Sequence, residues 1–180
     1  WSVNDAKLHP EWCVRNRDGS FAANTQYDFN ADDDDPKPTF QWINMCVGTA
    51  YHDHIMEQVE EICKNYDIDG FRHDATKHVD ELYWRTLTRK IKEETHCDPM
   101  TYQIGETYGS PELIASYVGS GMLNAQFDFN VYDNAVAVFA REEESFGRLQ
   151  ASLNQSLRYY GYHNLMGNIT GNQDRPRFIS

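Results

Sequence analysis

The sequence predicts an α/β chain assembled from parallel βαβ units, and three observations lead there. From Tyr51 onward, apolar residues recur at helical spacing in several separate windows. Between those windows lie short apolar runs of strand length bounded by Gly, Asn, Asp and Pro. Helix-start residues stand at the junctions, as in Ser110-Pro111-Glu112, where Ser suits the N-cap and Pro the first helical position. Strands alternating with helices imply parallel pairing with crossover helices.

Residues 1–48 show no sustained period. They carry the turn formers Asp18-Gly19-Ser20, Pro36 and Pro38 and the acidic run Asp32-Asp33-Asp34-Asp35, and they read as a loop-rich segment. A stretch of that length without regular structure is usually functional or inserted. Residues 49–180 read as the alternating part. Ile55, Met56, Val59, Ile62, Cys63 and Tyr66 form one helical stripe, with Glu57, Glu60, Glu61 and Lys64 outside it. Ile68-Asp69-Gly70-Phe71-Arg72 follows as a strand. Val79 to Glu94 is a helix with Leu82, Leu87 and Ile91 inward, and Met100 to Ile104 a strand. Ser110 opens a further helix. Leu123 to Phe129 alternates as a strand, and Val131 to Arg141 returns to helix. Phe146, Leu149, Leu153 and Leu157 mark one more helix, and Asn164 to Thr170 a last strand.

The 180 residues hold 16 Lys plus Arg and 28 Asp plus Glu, a formal charge of −12. That balance speaks against nucleic acid, whose phosphates need a basic surface, and against a polybasic membrane anchor. Aromatics at 13% are too abundant for a disordered acidic tail. No apolar run approaches the ~20 residues that span a bilayer. Cys13, Cys46, Cys63 and Cys97 lie far apart without a CxxC pair, which argues against a zinc cluster. The expectation is buried free thiols, although an even count permits two disulfides.

Chemistry-bearing residues collect at three predicted strand ends. In Gly70-Phe71-Arg72-His73-Asp74-Ala75-Thr76-Lys77-His78, Arg72 and Asp74 are two apart and so share a face of a strand. An Arg beside a carboxylate favours its ionised form, as a permanently charged nucleophile requires. In Gln103-Ile104-Gly105-Glu106 an apolar strand ends on Gly and then a carboxylate, a place where desolvation can keep a proton on Glu106. Gly171-Asn172-Gln173-Asp174 repeats the arrangement. A carboxylate after a strand more often caps the next helix than reacts, so no one of these decides the matter. Three together, with Arg72 set beside Asp74, favour function.

These residues resemble the signature regions of the α-amylase family of glycoside hydrolases. The segment from Gly70 to His78 is similar to that family's nucleophile strand, Gly105-Glu106 to its acid/base strand and Asn172-Gln173-Asp174 to its Asn-His-Asp strand; Trp42-Ile43-Asn44 resembles, more weakly, an element of its loop domain. The resemblance implies a partial TIM (β/α)8 barrel covering roughly strands four to seven, with the loop-rich segment 1–48 resembling the insertion after strand three. It implies retaining hydrolysis, or transglycosylation, of α-1,4-glucosidic bonds in starch, maltodextrin or cyclodextrin. Asp74 would attack the anomeric carbon, and Glu106 would protonate the leaving oxygen and then activate water. Asp174 would hold substrate hydroxyls, Arg72 would orient Asp74, and Lys77 and His78 would reach the leaving-group side. Tyr108 is a candidate for stacking on a sugar, and Gln173 stands where the family has His, able to donate a hydrogen bond but not to carry charge. The alternative is a non-catalytic relative serving as a glycan-binding or interaction subunit.

His73 is expected to face the helix layer as a satisfied core residue. With Asp74 and His78 it supplies no full ligand set at recognisable spacing, so no metal ligands are assigned. Asp28-Phe29-Asn30-Ala31-Asp32 copies the opening of a calcium loop, but Asp33 and Thr39 stand where Gly and Glu are wanted. No cofactor is required on this reading; calcium stays open without assigned ligands. The substrate class favours an extracytoplasmic or secreted location. A (β/α) barrel takes about 250 residues, so the expectation is a piece of a longer polypeptide whose remainder closes the barrel.

Overall fold

A computed structural model of the chain describes residues 7–25, 39–41, 46–119, 121–175 and 177–178. Two compact units emerge, Trp1–Ile62 and Cys63–Ser180.

In the first unit, Asp18-Gly19-Ser20 forms the expected turn. The Asp18 carboxylate accepts from the Ser20 amide at 2.9 Å, and Gly19 supplies a φ of +84°. The 3-10 turn Pro10–Trp12 buries Trp12, which stacks on His9 with centroids 3.7 Å apart and on His54 at 4.7 Å. A two-stranded antiparallel ribbon, β1 (Ala23–Thr25) and β2 (Thr39–Gln41), pairs Ala23 with Gln41. Helix α1 (Ala50–Asn65) carries the boundary between the units. Of its predicted stripe, Met56 and Val59 are buried, whereas Ile62 and Tyr66 are exposed. The acidic run, the calcium-like segment 28–32 and Trp42-Ile43-Asn44 lie outside the described residues.

The second unit is built on a three-stranded parallel sheet in the order β3 (Gly70–His73), β4 (Tyr102–Gly105), β5 (Ala125–Gln126). The register pairs Gly70 with Tyr102 and His73 with Gly105. Gly70 is required where the strands approach: a Cβ there would sit 2.0 Å from the Tyr102 carbonyl oxygen. Helix α2 (Glu81–Glu93) is capped by Asp80, whose carboxylate accepts from the Leu82 amide at 2.7 Å. It buries Tyr83, Trp84, Leu87, Thr88 and Ile91, and a side chain the size of Leu87 or Ile91 is stabilised by about 1.5–3 kcal/mol on burial. Leu82, expected inward, is 59% exposed, because it sits at the capped first turn beside Asp80.

Ser110 and Pro111 open α3 (Pro111–Ser116) as the sequence predicts. The predicted strand Leu123 to Phe129 shortens to β5, since the Asp128 side chain caps α4 (Phe129–Ala135) by accepting from Val131 at 3.1 Å. A π-helical turn, Val136–Ala140, prolongs α4. The helix marked by Phe146, Leu149, Leu153 and Leu157 is α5 (Phe146–Tyr160), on which Phe146, Leu153 and Leu157 are exposed. The inward face is instead polar, with Ser152 bonded to Asn134 and to the Asn130 carbonyl and Ser156 to Asp128. The predicted last strand contracts to a single parallel bridge between Phe127 and Gly167.

The cysteines differ from expectation. Cys63 and Cys97 form a disulfide with Cα atoms 4.8 Å apart. The end of α1 and the turn after α2 converge there, a geometry that sequence spacing does not reveal. Cys13 is a buried thiol whose Sγ approaches the His9 carbonyl oxygen at 3.7 Å.

Candidate active site

Strand register assembles the site. Parallel pairing matches residue n of β3 with residue n + 32 of β4, as in Arg72 with Ile104. Two residues further along both chains, one past the last pair His73 and Gly105, Asp74 comes beside Glu106. Arg72, Asp74, Ile104 and Glu106 share one face by the two-residue period. His73 lies on the other face, its Nε2 3.1 Å from Gln103 Oε1 and its ring 5.0 Å from that of Trp84. Burial lowers the His73 pKa, which keeps the imidazole neutral.

The strand ends are locked by backbone and hydroxyl groups. The Glu106 amide donates to the His73 carbonyl at 2.9 Å and to Thr76 Oγ1 at 3.0 Å, while the Thr76 amide donates to the Glu106 carbonyl at 2.9 Å. Ala75 takes a left-handed conformation, φ +47° and ψ +43°, and turns the chain immediately after Asp74. A non-Gly residue pays about 1–2 kcal/mol for that conformation. The 3-10 turn Thr76–His78 that follows is pinned by Trp84, whose indole donates to the Thr76 carbonyl at 3.0 Å. No Cβ fits at Gly105, where it would stand 2.1 Å from Gln126 Nε2 and 2.5 Å from Thr76 Oγ1.

One guanidinium bridges two carboxylates. Arg72 Nη1 is 3.0 Å from Asp74 Oδ1, and Nη2 is 2.7 Å from Glu106 Oε2. The two acids stand in different surroundings: Asp74 is 76% exposed and Glu106 14%. A hydrogen bond from Glu106 lowers the Asp74 pKa, and the Arg72 charge works in the same direction. Burial raises the Glu106 pKa, and the hydrogen bond to Asp74 adds to the rise, against the pull of Arg72. One carboxyl is thus biased toward the charged form and its neighbour toward the protonated form.

A cleft of about 330 Å³ opens beside Glu106, lined also by Lys77, His78, Tyr108, Asn172, Asp174 and Arg175. Asn172 Nδ2 donates to Glu106 Oε1 at 3.4 Å, and Asn172 Oδ1 accepts from the Asp174 amide at 2.9 Å. Gln173 Nε2 donates to Asp174 Oδ2 at 2.9 Å. Lys77 Nζ donates to the Tyr108 carbonyl at 2.9 Å. Of the predicted residues, Asp174, Lys77, His78 and Tyr108 meet Glu106 in this cleft, Arg72 ties Asp74 to Glu106, and Gln173 stands behind Asp174. A wider hollow of about 740 Å³, lined by Thr170, Gly171, Asn172, Gln173, Arg177 and Phe178, contains no carboxylate side chain. Thr76, Asn172 and Arg175 are absent from the sequence-derived set. Asn172 opens the Asn172-Gln173-Asp174 motif and Arg175 directly follows it; the Thr76 hydroxyl, inside the segment from Gly70 to His78, acts through a crossing between strands that sequence alone does not show. Among the described residues, no group of three or more His, Cys, Asp and Glu is arranged to hold a metal ion. No helix among them is long and apolar enough to cross a membrane.

A family model described as "Hypothetical glycosyl hydrolase 6" matches residues 1–75. The chain is 30% identical over 125 residues to alpha-amylase 2 of Schwanniomyces occidentalis, covering 68% of this chain and 22% of the relative. It is 27% identical over 131 residues to a cyclomaltodextrinase of Thermoanaerobacter pseudethanolicus, covering 71% of this chain and 21% of the relative. The α-amylase of Geobacillus thermoleovorans, crystallised with acarbose, superposes with a TM-score of 0.72 at 20% identity, over 95% of this chain and 37% of that one. The chain spans about a fifth of the length of the curated relatives it matches.

Proposed function

The chain belongs with the α-amylase-type glycoside hydrolases by sequence and by fold, and from that premise we propose that the whole protein cleaves α-1,4-glucosidic bonds with retention. The sheet β3–β5 is then part of a (β/α)8 barrel, with the site at the C-terminal strand ends where such barrels hold their chemistry. The observation that carries the reading is the Arg72 bridge between an acid biased toward ionisation and an acid biased toward protonation.

The residues take these roles. Asp74 attacks the anomeric carbon as the glucosidic C–O bond breaks, and Glu106 gives its proton to the departing oxygen. Glu106, now charged, takes a proton from water, whose oxygen displaces Asp74 and returns it as a carboxylate. If a sugar hydroxyl replaces water in the second step, the outcome is transglycosylation. Retaining chemistry works with carboxyls about 5–5.5 Å apart, and a shared guanidinium keeps the pair within one site. Asp174, fixed by Asn172 and Gln173, faces the cleft as a hydroxyl acceptor. The substrate class is an α-glucan such as starch, maltodextrin or cyclodextrin.

The competing reading, a glycan-binding relative without turnover, rests on Gln173 in place of His. Kinetics and maltoheptaose titration of the full-length protein and its Asp74→Asn variant separate them. Loss of turnover with binding retained supports the hydrolase; binding without turnover in the unaltered protein supports the binding subunit.

A further inference from the structure

Tyr108 is held from four directions. Its hydroxyl donates to Asp133 Oδ2 at 3.2 Å, its carbonyl accepts from Lys77, and the Phe129 ring meets it edge-on with centroids 5.5 Å apart. The fourth contact covers a ring face: the Arg175 guanidinium carbon lies 4.0 Å from the ring centroid. An aromatic ring in a sugar cleft ordinarily serves as a stacking platform, because the ring's π face and the sugar's C–H groups are complementary. Here, one of its two faces is already occupied. Arg175 follows Asp174 directly and is held against Asn172 by an antiparallel bridge, so the guanidinium is presented from the same short turn that positions the acceptor carboxylate.

We propose that Arg175 is a specificity-determining residue: by occupying a face of Tyr108, it converts the leaving-group side of the cleft from an aromatic stacking platform into a cationic, hydrogen-bonding wall. The inference rests on the proposed glucan reaction and adds which contacts select the sugar beyond the bond that breaks. A glucan unit arriving on that face meets guanidinium N–H donors rather than a bare ring, and a sugar that stacks on it must first displace Arg175. The same side receives the acceptor in transfer, so acceptor affinity is set by the same residue.

The test is a double-mutant cycle in the full-length enzyme: Arg175→Ala, Tyr108→Leu and the pair, with Arg175→Lys as the variant that keeps the charge without the planar contact. The readouts are KM for maltoheptaose and the ratio of transfer to hydrolysis with added maltose. Freeing the ring face releases a surface cation–π contact, which corresponds to about a two- to fivefold effect. Arg175→Ala is expected to lower KM and raise the transfer ratio by that factor, and the gain is expected to vanish in the Tyr108→Leu background. Arg175→Lys is expected to fall between the two. An unchanged KM, or an equal effect of Arg175→Ala with and without Tyr108, overturns the role of Arg175. Absence of glucan turnover in the unaltered enzyme overturns the reaction itself, a result distinguishable from either.

Discussion

Arg72 and Glu106 form the shorter arm of a bridged acid pair, 2.7 Å from Nη2 to Oε2, on a carboxyl that is only 14% exposed. That contact joins a permanently charged donor to an acid that burial inclines to hold its proton. It follows from register, since β3 and β4 end side by side.

The pair predicts how activity depends on pH. Asp74 must be ionised and Glu106 protonated, so kcat/KM rises as Asp74 loses its proton and falls as Glu106 loses its own. With Asp74 lowered and Glu106 raised, the active window widens in both directions relative to ordinary carboxylates. Arg72 lowers both groups, so Arg72→Ala is expected to move both limbs to higher pH and reduce kcat/KM at neutral pH by about tenfold or more, the scale of a lost charged transition-state contact. Rate profiles from acid to base check it; limbs that stay in place contradict the bridge.

Gln173 tests how well an uncharged donor supports Asp174. Gln173→Ala removes the 2.9 Å bond to Oδ2. A neutral hydrogen bond contributes about 1 kcal/mol, so kcat/KM is expected to fall roughly fivefold. Steady-state kinetics on maltoheptaose reads it.

Thr76 links folding to the site. Its side chain is fully buried and its hydroxyl accepts from the Glu106 amide. Thr76→Val leaves that amide its bond to the His73 carbonyl and removes the second one, a cost of about 0.5–1.5 kcal/mol. Gly105→Ala places a methyl against Thr76 Oγ1 and Gln126, an overpacking cost of about 1–3 kcal/mol. Both variants are expected to lower Tm and kcat together, and calorimetry beside kinetics distinguishes this from a purely local defect.

The Cys63–Cys97 crosslink closes a loop of 34 residues. Loop-closure entropy for that length is about 4 kcal/mol. Cys63→Ser with Cys97→Ser is therefore expected to destabilise by up to about 4 kcal/mol, read by urea unfolding; equal stability would remove the bond from the account.

How far the sequence was legible depends on whether a feature is local. The segment from Gly70 to His78 disclosed Arg72 and Asp74 because the two-residue strand period is local, and Ser110-Pro111 disclosed a helix start for the same reason. Long-range features did not show. The disulfide depends on where α1 and α2 end, and although the Phe146–Leu157 spacing marked α5 correctly, it did not show that Ser152 turns inward toward Asn130 and Asn134. The contact of Arg175 with Tyr108 did not show either, since it joins residues far apart in the sequence.

The most direct test of the central claim is covalent trapping. The full-length enzyme is incubated with a 5-fluoro α-glucosyl fluoride, denatured and digested, and the peptides are weighed. A glycosyl adduct on the peptide containing Asp74, lost in the Asp74→Asn variant, is the predicted result. Turnover of glucan with no adduct on Asp74, or an adduct on another carboxylate, would contradict it.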